Sequence, residues 1–315
     1  MRAKRAVVAI GGNSLIKDKH HQTVADQYQA MKETTASIAD MVEAGWEVAI
    51  THGNGPQVGF ILRRSELSRH ELHEVPLDAC GADSQGAIGY ALQQTMRNHL
   101  LAKGIDRLVA TVVTQVEVSP QDPAWTHPSK PIGSFMTAEM AAERKAGEGW
   151  AVVEDAGRGW RRVVSSPEPL AIVEADVVRM LLDAGVIVIT VGGGGIPVVS
   201  EPDGTLKGVD AVIDKDLASA MLATVIEAGL LVITTAVEKV ALGWATPQQR
   251  WVDRLTLAEA KAYLAEGSHF AAGSMAPKIQ ACINYLEAGG GEVLITDPAH
   301  LPAAIRGETG TRLVP

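Results

Sequence analysis

Val48-Ala49-Ile50-Thr51-His52-Gly53-Asn54-Gly55-Pro56-Gln57-Val58-Gly59 is the stretch around which the chain is organised. Its apolar run stops abruptly at two glycines that bracket Asn54. Pro56 then fixes a turn, and a helix is expected from Gln57. Glycine lets a backbone turn sharply, expose its N–H groups and approach a ligand closely. A strand end that feeds a helix N-terminus is a ready anion site. The layout recurs at Val7-Val8-Ala9-Ile10, followed by Gly11-Gly12-Asn13-Ser14. It occurs a third time over 186–191, followed by Gly192-Gly193-Gly194-Gly195-Ile196-Pro197. Three such runs predict three parallel strands that deliver loops to one edge of a sheet. Tight βα turns with no ligand are the plain alternative for any one cluster; three clusters of one design weigh against it.

Outward from these loops, helical spacing runs over 22–44, 58–72, 172–184, 217–228 and 257–266. Another helix is expected from the 78–86 segment to Leu101, with Asp83 and Ser84 as caps. A further one follows Ser274, a plausible cap, with Pro277 in its first turn. The β-branched run 107–118 reads as one strand, 230–235 as another, and 292–296 as the last clear one. Strands alternating with helices imply an α/β fold with a mainly parallel central sheet covered on both faces. The texture changes over 119–166, where Pro120, Pro123, Pro128 and Pro131 exclude an interior strand or central helix. A short helix over 136–145 and a hairpin of 150–154 with 160–164 make this segment an excursion from the sheet, in the manner of a lid.

The 315 residues suit one large α/β domain or two lobes. With 46% hydrophobic and 21% charged residues the chain is globular. A net charge of −9 argues against a general nucleic-acid binder. Cys80 and Cys282 are too few for a disulfide framework or a cysteine metal site, so a reducing, cytoplasmic setting is expected. Met-Arg-Ala-Lys-Arg runs directly into a strand-like segment, which reads as no signal peptide, and no apolar run has membrane-spanning length.

Several side chains suit anion chemistry. Lys215 lies between Asp214 and Asp216 just before a helix. Lys278 falls in the first turn of another helix, where the macrodipole disfavours a cation unless an anion joins it. Lys130 lies in the proline-rich excursion; three scattered lysines equally suit a solvated surface, and Asp214 is a candidate both to hold them and to cap its helix. His52 reads either as a general base or as a hydrogen-bonded scaffold. His20 and His21 read as a surface loop, and no metal-ligand set is apparent. The P-loop, the nucleophile elbow and the zincin helix are all absent. Gly53 to Gly59 misses the dinucleotide fingerprint by one residue, which leaves a nicotinamide dehydrogenase a distant reading.

Taken in order along nearly the whole chain, these segments resemble the carbamate kinases of the amino acid kinase superfamily. The resemblance is carried by 9–15, 50–59, 81–86, 114–118, 161–167, 192–197, 212–218 and 273–278. Ser129-Lys130-Pro131-Ile132-Gly133 points to the carbamate branch over acetylglutamate and uridylate kinases. The resemblance implies an open αβα sandwich with a small protruding subdomain, here 119–166, and a homodimer. Residues 1–200 would form a carbamate- and phosphoryl-binding lobe and 201–315 a nucleotide lobe. The implied reaction is ATP plus carbamate giving ADP and carbamoyl phosphate, run toward ATP in catabolism, with Mg²⁺ held mainly by nucleotide phosphates. Gly11, Gly12, Asn13, Gly53, Asn54, Gly55, Gly193 and Gly194 would hold the carbamoyl and transferring phosphoryl groups. Lys215, Lys278 and Lys130 would neutralise charge, with Asp214 orienting the lysines. Thr235, Ala236, Val237, Val240 and Met275 would meet the nucleotide. The chain departs from the family at Ala236, where an acidic residue is usual. That departure motivates two rival readings: a binding protein without catalysis, and a kinase of the same fold for another small carboxylate.

Overall fold

Side chains alternate along the first strand, β1 (Arg5–Ile10), and set the layering. Val7 and Ala9 enter one buried cluster, and Ala6, Val8 and Ile10 enter another on the opposite face. The computed structural model describes residues 4–12, 15, 21, 23–155, 157, 159–271 and 273–315. After β1 come α1 (Val24–Glu43), β2 (Glu47–His52), α2 (Gly55–Ser68), α3 (Leu77–Ala102), β3 (Val109–Thr111) and β4 (Gln115–Val118). The excursion follows as β5 (Lys130–Met136), α4 (Ala138–Glu148), β6 (Val152–Glu154) and β7 (Trp160–Val164). The chain returns through β8 (Pro169–Ile172), α5 (Ala175–Asp183), β9 (Ile187–Ile189), β10 (Ile196–Ser200) and β11 (Leu206–Gly208). Next are α6 (Lys215–Val225), β12 (Leu230–Thr234), β13 (Val240–Leu242), β14 (Arg250–Val252) and β15 (Arg254–Thr256). The remainder is α7 (Leu257–Glu266), α8 (Met275–Glu287), β16 (Glu292–Thr296), α9 (Leu301–Ile305) and β17 (Thr311–Val314).

The main sheet has eight strands in the order β15-β17-β16-β12-β1-β2-β9-β3. From β16 to β3 every pairing is parallel; β17 runs antiparallel to β16. Strands from either side of residue 200 share this sheet, because β1 pairs with both β2 and β12. Helices α1, α3 and α9 cover one face, and α5, α6, α7 and α8 the other. This is the open αβα arrangement. Each fully buried Val, Ile or Leu in these faces contributes about 1.5–3 kcal/mol. The helix α1 starts where a capping box fixes it: Thr23 accepts from the Asp26 N–H and the Asp26 carboxylate answers the Thr23 N–H.

The excursion is a separate three-stranded antiparallel sheet, β5-β7-β6, beside α4. Val58 of α2, Leu77 and Cys80 of α3, Ile132 of β5 and Val212 make a small cluster that roots it on the body. At the joint, Gly59 meets Gly133 backbone to backbone: a Cβ on Gly59 would lie 2.2 Å from the Gly133 nitrogen.

Four local expectations are corrected. The run 107–118 is two strands in two sheets, because the chain leaves the main sheet between Thr111 and Gln115. At that corner the Thr114 hydroxyl donates to Val112 O and meets Thr190 Oγ1 at 2.8 Å, fixing a turn that composition does not reveal. Asp83 and Ser84 do not cap α3, which starts after Pro76; both lie inside the helix. Ser274 stands at the N-cap of α8, but its side chain makes no capping bond. Strand β17 follows the 292–296 strand.

Candidate active site

Strand register brings the loops together. Ile10 is paired with His52, and Ile50 with Ile189, so the chain leaves β1, β2 and β9 at neighbouring points of one sheet edge. Gly11 N–H donates to Thr234 Oγ1 at 2.9 Å, which ties the first loop to the end of β12. A Cβ on Gly12 would meet nothing within 4 Å, so this residue borders open space. Asn13 lies outside the described residues.

The third loop is braced from behind. Buried Gln85 donates to Thr114 O and Gly192 O, both at 3.0 Å, and accepts from the Thr114 N–H. Val191 N–H donates to Thr114 Oγ1 at 3.0 Å. Gly193 has φ +69°, and a Cβ there would lie 2.2 Å from Asn54 Nδ2, so only glycine fits both the backbone and the space. The Asn54 amide donates to Ser84 Oγ at 2.8 Å and is 5% exposed. Gly53, Asn54, Gly55, Gly193 and Gly194 therefore form one wall, with Asn54 wedged between α3 and the glycine loop.

The cations stand opposite. Helix α6 begins at Lys215, and Asp214 caps it by accepting from the N–H groups of Asp216 at 2.8 Å and Leu217 at 3.3 Å. Asp214 also receives Lys130 Nζ at 2.5 Å, which brings the protrusion onto the body. Lys215 and Lys278 both bind Asp216, the latter at 2.7 Å. The expected organiser is thus corrected in part: Asp214 holds Lys130, whereas Asp216 grips Lys215 and Lys278. Asp216 answers the unfavourable place of Lys278 near a helix N-terminus. Lys215 passes beside the second loop, its Cδ 3.3 Å from where a Cβ on Gly53 would stand.

Burial raises the Asp216 carboxyl, but Lys215 and Lys278 outweigh that and hold it well below the usual range. Asp214 is lowered in the same way, burial opposing and Lys130 prevailing. Burial pulls Lys215 down, with Lys278 adding repulsion. Lys278 is raised: burial opposes, but Asp216 prevails. His52 is pushed down to about 4, first by burial and then by Lys215, although its bond to Gly53 O at 3.1 Å opposes the shift. It is neutral and enclosed, a scaffold under the loops.

The nucleotide candidates divide. Ala236 is exposed, and Thr235, Val237 and Met275 are half-buried at the ends of β12 and α8. Val240 is corrected: it is fully buried and its N–H donates to Thr311 Oγ1 at 2.8 Å, so it offers no atom to a ligand. Sequence reasoning missed Asp216, Ser84 and Gln85. It also assigned no role to Arg161, which donates to Pro131 O at 3.2 Å and reaches within 3.9 Å of a Cβ position on Gly55. Asp214 and Asp216 are both taken by lysines, so the donor set facing the loops suits a polyanion and not a bare cation. Among the described residues, no group of three His, Cys, Asp or Glu is placed to hold a metal ion.

A model of the amino acid kinase family matches residues 4–297. The carbamate kinase-like protein YahI of Escherichia coli (strain K12) is 51% identical over 98% of each chain. The carbamate kinase of Pyrococcus horikoshii is 44% identical over 99% of each. The carbamate kinase from Giardia lamblia bound to AMP-PNP superposes with a TM-score of 0.89 at 40% identity, covering 99% of each chain.

Proposed function

The chain belongs to the amino acid kinase family, and from that premise we propose that it is a carbamate kinase, transferring a phosphoryl group reversibly between ATP and carbamate. The observation that carries this reading is the pair of lysines gripped by one buried carboxylate, with Lys215 running beside the Gly53 loop. Phosphoryl transfer needs positioning and cations more than covalent chemistry. Carbamate is already an anion with a nucleophilic oxygen, so no base is needed, which accords with an enclosed and weakly basic His52. The loops of Gly11, Gly12, Gly53, Asn54, Gly55, Gly193 and Gly194 would hold the carbamoyl group and the phosphoryl group in flight through the N–H groups of Gly12, Gly55 and Gly193 and the Asn54 amide, while the N–H groups of Gly11, Gly53 and Gly194 fix the loops themselves. Lys215 and Lys278 would neutralise its equatorial oxygens, and Lys130 would reach in from the protrusion.

ATP or ADP would lie against Thr235, Ala236, Val237 and Met275, its Mg²⁺ neutralising phosphate charge and held mainly by the nucleotide. Residues 1–200 would then serve carbamate and 201–315 the nucleotide, the two meeting at the sheet edge. A cytoplasmic setting fits a chain with two free buried cysteines, and net flux toward ATP in catabolism completes the reading by the family resemblance alone. No helix among the described residues is long and apolar enough to cross a membrane. A homodimer is supported by the open sheet edge at β3, where Leu108 is 70% and Val113 53% exposed. Helices α3 and α5 beside it expose Tyr90 and Met180.

The decisive assay supplies MgADP and carbamoyl phosphate and follows ATP. Formation far above the spontaneous background is expected; its absence would sink the reading. A binding protein without turnover is the second reading, motivated by Ala236, and would show ADP binding with no ATP formed.

A further inference from the structure

We propose that the cavity between α2 and the β5–α4 layer of the protrusion binds a small amphipathic monocarboxylate, with an apolar or aromatic body and one anionic end. The cavity measures about 350 Å³, within the range of small-molecule sites. Phe60, Ile132 and Trp150 supply apolar walls, and Phe135 and Met140 beside them are each 45% exposed. Four arginines also line it: Arg63, Arg64, Arg144 and Arg162. Three of them crowd one ring, with Arg63 and Arg144 each 5.6 Å and Arg162 4.5 Å from the Trp150 centroid.

Like charges brought this close need anions. Two carboxylates serve them: Glu66 pairs with Arg63 at 3.2 Å and Arg162 at 2.5 Å, and Glu148 pairs with Arg63 at 3.1 Å and with Arg144. Arg64 is exposed and has no ion-pair partner among the described residues. Four lining guanidinium groups against the two carboxylates that pair with them leave this cluster with a formal charge of +2 beside an apolar hollow. An apolar body in the hollow with a carboxylate among the guanidiniums satisfies both features at once. No lining residue is among those assigned to the substrates, although Gly59 and Gly133 also form the joint that carries Lys130, and the inference does not rest on the reaction proposed above.

Isothermal titration of the full chain with 4-phenylbutyrate tests it, with 4-phenylbutanol and acetate as controls. One site per chain is expected, with each control at least about tenfold weaker, because either the charge or the apolar body is missing. Met140→Trp fills the hollow and Arg64→Glu reverses its free charge. Each is expected to weaken binding about tenfold or more while leaving ATP formation near the parent rate. Should Met140→Trp fail to fold, Arg64→Glu, altered at an exposed side chain, decides. No binding, equal binding of the alcohol, or unchanged affinity in the folded variants would overturn the proposal. So would binding that disappears when MgATP saturates the protein. Calorimetry reads binding without turnover, so this outcome and that of the ATP-forming assay stand apart.

Discussion

Asp216 shows how one side chain sets a site. It is 3% exposed and accepts from two ammonium groups that lie 63 residues apart in the chain, Lys215 and Lys278. Asp216→Asn keeps the shape and removes the charge, leaving two buried cations facing each other. We expect it to lose about 3–5 kcal/mol in a denaturant titration, because breaking a buried ionic cluster strands its partners. Lys278→Ala is expected to lower kcat for ATP formation about 10²–10³-fold, with a smaller effect on the KM for MgADP, as for other removed transition-state donors. Full activity would remove Lys278 from the mechanism. His52 gives a pH signature. Its folded value of about 4 lies below its ordinary value of 6.5, so the unfolded chain binds a proton the folded one refuses. Stability from this group is full above about pH 6.5 and is lost as pH falls toward 4, in all roughly 3 kcal/mol. His52→Gln should flatten the pH dependence of the unfolding midpoint over that interval.

At the scale of elements, the joint between α2 and β5 is the feature most open to test. Neither Gly59 nor Gly133 has a side chain that can yield, so Gly59→Ala must part the helix from the strand. The expected cost is about 1–3 kcal/mol. Activity should fall with it, since β5 begins at Lys130 and that lysine reaches Asp214 across the gap. Gly81→Ala in α3, where a Cβ meets nothing within 4 Å, should instead stabilise by about 0.5–1 kcal/mol. The elements also show what a sequence can disclose. The three strand-to-glycine loops were legible because apolar runs and glycine clusters are local signals. Lys278 stood out locally because a helix N-terminus disfavours a cation, whereas Lys130 and Lys215 joined it as a set only through the resemblance to the carbamate kinases. Asp216 could not: it lies one position after Lys215, and nothing local says that Lys278 arrives from another helix. The break inside 107–118 was hidden for the same reason, because the turn is held by Gln85 and Thr190 from elsewhere in the chain. Ser84 looked like a cap by type, and only the fold shows that its hydroxyl receives the Asn54 amide.

For the whole molecule, the open edge at β3 makes a prediction about assembly. A second copy pairing there would continue the sheet and cover Leu108, Val113 and Met180. Leu108→Lys with Met180→Lys should halve the mass seen by light scattering and leave a folded chain. A parent protein that is already monomeric would refute the dimer. The centre of the sheet carries a different consequence. β1 has β2 on one side and β12 on the other, with Val7 opposite Leu231, 224 positions later in the chain. At the usual pace of translation, those positions take roughly 10–45 s to emerge from a ribosome. Throughout that interval the nascent β1–β2 pair offers an edge of unpaired backbone N–H and C=O groups, on a strand apolar from Ala6 to Ile10, with no native partner yet made. During its own biosynthesis this sequence is thus a natural client for a chaperone that shields exposed strands, and ribosome-bound fragments ending before β12 should be the species such a chaperone holds most tightly.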